Sequence, residues 1–153
     1  MVDKPEFDIE AAHKYFSAHC FNLSWELIDK KNRTPQEDEE MIRTNQVSLW
    51  HWTKRPDCTE KHLSIGYWQS ARIYAIINQP DNARRYGKMC LEYSANQAPF
   101  FKAYAYEALA RAEMIAGNSS QMNTYLEQAR TLTKEVDDEI SRKMLMDDLA
   151  TIK

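Results

Sequence analysis

The stretch Glu107-Ala108-Leu109-Ala110-Arg111-Ala112-Glu113-Met114-Ile115-Ala116-Gly117, followed by Met122, Leu126 and Ala129, decides the fold. Small residues sit where two antiparallel helices must cross closely, and Gly117 stands where the first helix ends and the chain turns. Superimposing Trp68–Tyr93 on Glu107–Leu132, thirty-nine residues later, aligns positions by type. Ala71 meets Ala110, Arg72 meets Arg111, Cys90 meets Ala129, and the turn residue Asn78 meets Gly117. The same helical hairpin is therefore written twice.

Working outward from these two hairpins, the rest of the chain also reads as helix. Ile9, Ala12, Phe16, Cys20, Leu23 and Leu27 recur at three- and four-residue spacing, predicting a first helix from about Pro5 to Lys31. Thr34-Pro35-Gln36-Glu37 signals the next start: Thr34 caps, Pro35 suits the first helical position, and Glu37 completes a capping box. The acidic run Glu37–Glu40 matches the dipole at that helix start. Met41, Asn45, Ser48 and Trp52 share one face of this helix, which stops before Pro56. A third helix opens after Asp57 or Thr59, a fourth at Pro80, a fifth after Pro99, and a sixth behind Asn118 or Ser119. A last helix, from Asp137 or Asp138 to Ile152, places Ile140, Met144, Leu145 and Leu149 inward. The expectation is an all-α fold of about seven helices in one domain spanning 1–153. It comprises a divergent hairpin over 5–54, repeat hairpins over 58–97 and 99–136, and a capping helix over 137–152.

Composition agrees. Three Gly and five Pro among 153 residues are too few for an all-β domain with a turn every eight to twelve residues. A net charge of -3, both signs interspersed, gives no electrostatic argument for nucleic acid or an anionic membrane. No stretch approaches the ~20 apolar residues that span a bilayer. Residues 1–8 carry three acids and no apolar run, unlike a secretory signal. Cys20, Cys58 and Cys90 form a poor disulfide framework and suit a reducing cytoplasm.

Over about Ile65–Val136 the paired hairpins resemble the tetratricopeptide repeat, with a small residue in the first helix, Gly at the turn, and small or apolar positions in the second. The departures are specific. The spacing exceeds the usual ~34 residues by five, Met122 replaces a small residue, and Gly87 replaces an aromatic. The chain is also similar to small bacterial proteins of this helical type. The resemblance implies antiparallel hairpins stacked as a short right-handed array, with the first helix of each hairpin lining a concave groove. Carried over position by position, it names Ile65, Trp68 and Arg72 in the earlier repeat and Tyr104, Glu107 and Arg111 in the later one. Two arginines thus fall one repeat apart beside Trp68 and Tyr104. An arginine fork suits a carboxylate, and aromatics supply contact area at low entropic cost. The competing reading has Arg72 and Arg111 salt-bridged to Glu107 and Glu26, merely holding the stack.

Catalytic chemistry finds little support. His51, Cys58 and His62 have metal-like residue types, but their spacing matches no familiar zinc signature, and Asp57 or Glu60 would have to complete the set. The expectation is no metal and no cofactor. His19 and Cys20 are consecutive on a helix and point about 100° apart, so they do not form a nucleophile–base pair. Neither a glycine-rich phosphate loop nor a Gly-x-Ser-x-Gly elbow is present. In Trp50-His51-Trp52, Trp52 is expected in the core and Trp50 packed on the third helix.

The reading is therefore a cytoplasmic, non-enzymatic protein-interaction module that binds a peptide segment or chain terminus in its groove. One alternative is a helical pocket for a small anionic or aromatic ligand, with His51 and Trp52 beside Trp68 and Arg72. Another is a structural homo-oligomer, such as a homodimer, whose groove is filled by its own neighbour.

Overall fold

A computed structural model describes residues 2–153. Among them are seven α-helices and no strand: α1 (Ile9–Asp29), α2 (Pro35–Thr53), α3 (Glu60–Ile76), α4 (Pro80–Ser94), α5 (Pro99–Ala116), α6 (Ser119–Thr133) and α7 (Glu139–Leu149). They take up more than two-thirds of the chain, as the continuous helical periodicity demands. No helix among the described residues is long and apolar enough to cross a membrane.

Local chemistry sets the helix ends. The box at α2 is complete, with the Glu37 amide donating to Thr34 Oγ1 at 3.2 Å and the Thr34 amide donating to Glu37 Oε2 at 2.9 Å. The first helix starts at Ile9 rather than Pro5, because the Asp8 carboxylate takes the Ala11 amide at 3.0 Å and caps the helix there. Asp138 caps α7 in the same way, accepting from the Ser141 amide at 2.8 Å.

The chain divides into two compact units, one ending at Thr59 and one running from Glu60 to Lys153. The first is the α1–α2 hairpin, and its seam is small and polar. Ser17, Cys20 and Ser24 of α1 are buried, as are Met41, Thr44, Asn45, Ser48 and Leu49 of α2. Ser24 Oγ meets Thr44 Oγ1 at 2.7 Å, and Ser48 Oγ donates to the Ser17 carbonyl at 2.7 Å. Small hydroxylated residues let two helices approach closely while every polar group finds a partner. This corrects the expected stripe on α1. Ile9 and Phe16 are 41% and 42% exposed, because the serine face, one step around the helix, packs on α2. Trp50 is likewise 54% exposed, its ring edge-on to His13 of α1, since Ser48 and Leu49 occupy the seam beside it.

In the second unit α5 is central, touched by α3, α4, α6 and α7. Ala103, Ala105, Ala108, Ala110 and Ala112 are all buried, which keeps α5 thin enough for several neighbours. Gly87 of α4 serves the same closeness: a Cβ there would lie 2.9 Å from Leu109 Cδ2. The thirty-nine-residue repeat is reproduced bond by bond at the turns. The Gln79 amide donates to Tyr74 O at 2.8 Å and the Asn118 amide to Glu113 O at 2.9 Å. The Asn78 and Gly117 amides donate to Ala75 O and Met114 O, both at 3.1 Å. Asn78 (φ 59) and Gly117 (φ 75) both sit in the left-handed region, where asparagine and glycine are the residues that settle. The aligned pairs Ala71/Ala110 and Cys90/Ala129 are all buried to within 1%.

The apolar face of α7 differs from expectation. Leu145, Leu149 and, just beyond the helix, Ile152 are buried, whereas Ile140 and Met144 are 80% and 49% exposed. Leu145 joins Ala103 and Val136, and Leu149 and Ile152 join Ala110, Met122, Leu126 and Ala129. The side of α7 turned to α5 and α6 is thus one step around from the side that simple periodicity selects.

Candidate functional site

All six groove residues named from the sequence lie on α3 and α5 of the second unit. The structure draws five of them into one polar cluster. Glu107, 1% exposed, is its centre. Its Oε2 accepts the Trp68 indole N–H at 3.0 Å, and its Oε1 accepts the Arg111 Nε–H at 2.8 Å. Arg111 Nη2 approaches the same oxygen to 2.6 Å, and Arg72 Nη1 stands at 3.5 Å. The aligned positions Trp68 and Glu107 therefore bond each other directly, and the aligned arginines share one carboxylate.

The outer edge of the cluster is closed by α7. The Asp148 carboxylate accepts from Arg72 Nη2 at 3.2 Å and from the Tyr104 hydroxyl at 2.8 Å. Arg111 Nη2 donates to Thr151 Oγ1 at 2.8 Å and to the Asp148 carbonyl at 3.3 Å, satisfying a backbone oxygen at the helix end. The positive guanidinium also complements the negative end of the α7 dipole. Burial pushes the Tyr104 phenol well above its ordinary value, and the Asp148 carboxylate reinforces this, so Tyr104 keeps its proton and donates it to Asp148. Trp68 and Tyr104 meet edge-to-face at 5.3 Å, and the Arg72 guanidinium lies 5.5 Å from the Trp68 ring. Ile65 is half-buried and makes no polar contribution.

Charge in the cluster balances: two guanidinium groups face two carboxylates. Arg111 is 9% exposed, less open than a groove contact requires, because Glu107 and the end of α7 take its donors. The ion pairs with Glu107 are present as the competing reading expected; the other proposed carboxylate, Glu26, belongs to the first unit, and the second acid is instead Asp148. Asp148 and Thr151 are the residues that sequence reasoning missed. The only trace was the acidic pair Asp147-Asp148 in the last turn of α7, and Asp148 lies seventy-six positions from Arg72. Beside α7, Arg130, Thr133, Lys134, Arg142, Met146, Leu149 and Ala150 line a cleft of about 340 Å³ that includes none of the six.

His51 and Trp52, the other pair singled out, lie on the first unit. The Arg55 guanidinium covers the Trp52 ring at 3.8 Å and pairs with Asp57, whose carboxyl it pulls down to about 2. His51 Nδ1 lies 2.8 Å from His13 Nδ1, and burial together with the adjacent His13 ring lowers its pKa. Ile9, Phe16, Val47 and Trp50 of the same unit are exposed, and Phe16 and Trp50 lie against His51. Among the described residues no three His, Cys, Asp or Glu side chains gather as a metal group. No family model, no curated protein and no solved structure matches the chain.

Proposed function

We propose that this chain is a protein-interaction module of tetratricopeptide type, working in the cytoplasm without catalysis. Its second unit receives an acidic helical segment or chain end. The observation that carries the reading is the way Arg72, Tyr104 and Arg111 grip the last turn of α7, one by charge, one by hydroxyl and one through the backbone. An external segment with the same pattern, apolar residues four apart and an acid before the second, would use the same donors. The helix α7 is then the internal occupant with which a partner competes. The repeated left-handed turns support the tetratricopeptide reading, and three free thiols suit a reducing compartment.

A labelled peptide of residues 138–153 tests this by fluorescence anisotropy. It should bind a Leu145→Ala chain, in which α7 is held less firmly, more tightly than wild type. Adding Arg72→Ala should weaken that binding by about 1–3 kcal/mol, the worth of a charge-assisted hydrogen bond. No binding to a folded Leu145→Ala chain would remove the groove reading.

The exposure of Ile9, Phe16, Val47 and Trp50 favours a second reading, association with another copy through the first unit. Light scattering decides it: a dimer converted to monomer by Trp50→Glu supports the reading, and a wild-type monomer at high concentration ends it.

A further inference from the structure

His13 on α1 and His51 on α2 are thirty-eight residues apart in sequence, yet their Nδ1 atoms stand 2.8 Å apart. The ring centroids are 5.0 Å apart and the planes tilt by 55°. A bond between two like ring nitrogens requires one Nδ1 to carry the proton and the other to offer its lone pair. The pair therefore holds one proton between two imidazole lone pairs. A transition-metal ion bound to two imidazoles at ~2.0–2.1 Å, with an angle between a right angle and tetrahedral, needs its nitrogens about 2.8–3.4 Å apart. The pair already has the short end of that spacing.

Its surroundings fix the rings. Trp50 stands edge-on to His13 at 5.5 Å and to His51 at 4.9 Å, and Phe16 lies against His51 at 5.4 Å. Both histidines are half-buried; His13 grows from the second turn of α1 and His51 from the last turn of α2, each one turn from the Ser48–Ser17 hydrogen bond that joins the two helices. Ligands carried on rigid elements and braced by neighbours lose little freedom on binding an ion.

We propose that His13 and His51 form a bis-histidine site for one borderline divalent transition metal, copper(II) or zinc(II), which takes the place of the shared proton; the donor ring gives up its Nδ1 proton to water and takes one at Nε2, so both imidazoles stay neutral and both Nδ1 lone pairs face the ion. The remaining coordination positions are filled by water or by a donor from a bound partner. Imidazole nitrogen selects this class over magnesium and calcium, which take oxygen. With no third protein donor gathered there, the site is a chelate of two ligands, and copper(II) binds it more tightly than zinc(II).

The test uses the full chain without an affinity tag, carrying Cys58→Ser so that copper does not react with the half-buried thiol. Calorimetric titration with zinc chloride and with copper chloride should each show one saturable equivalent, copper the tighter. Electron paramagnetic resonance of the copper form should show coupling to two imidazole nitrogens. Either His13→Ala or His51→Ala should lower affinity at least tenfold with an unchanged helical circular dichroism spectrum. Unchanged affinity in either folded variant, coupling to fewer than two imidazoles, or no saturable binding would overturn the assignment.

Discussion

Glu107 shows most sharply what one side chain does here. It is a buried carboxylate between Trp68, Arg72 and Arg111, and removing it strands a guanidinium that water scarcely reaches. Breaking a buried pair from one side costs more than the pair itself contributes. Glu107→Ala should therefore destabilise the protein by about 3–5 kcal/mol in urea unfolding. A loss under 1 kcal/mol would mean that Arg111 finds another partner. Thr34 lies at the other extreme. Its hydroxyl serves one exposed helix-start amide, so Thr34→Ala should cost about 1 kcal/mol, seen as a lower urea midpoint for the first unit. That position was legible from four consecutive letters, because capping is local. The partners of Glu107 were only partly legible: its spacing to Arg111 is helical, but its bond to Trp68 depends on how α3 lies on α5.

At the scale of elements, α7 joins stability to the proposed site. Leu145, Leu149 and Ile152 are buried against α5 and α6, and each such side chain contributes about 1.5–3 kcal/mol on burial. Leu145→Ala should cost about 2–5 kcal/mol, with the loss concentrated in faster hydrogen exchange along α7. Uniform exchange across the second unit would show that α7 does not open separately. The turn before α6 makes a different demand. Gly117 has a φ of 75° with nothing within 4 Å of an added Cβ, so Gly117→Ala introduces backbone strain alone. It should lower stability by about 1–2 kcal/mol, read as a lower urea midpoint. Helix existence was readable throughout, but the buried face was misread on α1 and α7. On α1 the seam is made of serines, which a search for apolar periodicity passes over.

For the molecule as a whole, acid should act through the buried ion pairs. Glu113 lies 2.6 and 3.1 Å from the Arg84 guanidinium, which holds its carboxyl below the ordinary 4.5. A depressed carboxyl contributes stability above its unfolded pKa and loses it as pH falls through the folded value. Stability should thus decline below about pH 4.5, and Glu113→Gln should flatten that decline while lowering stability at pH 7; an unchanged acid slope would assign the effect to other carboxylates. The sequence by itself determined the all-α class, the helix order, the capped starts of α2, α6 and α7, and the matched turns at Asn78 and Gly117. All of these depend on residues within a few positions of one another, where backbone sterics and local hydrogen bonds decide. Only the tertiary structure decided that the two arginines meet Glu107 and the end of α7, that His13 faces His51, and that Trp50 stands half in solvent beside that pair. Those outcomes turn on which side of one helix faces the next, and that is set by the summed fit of many side chains distant in sequence.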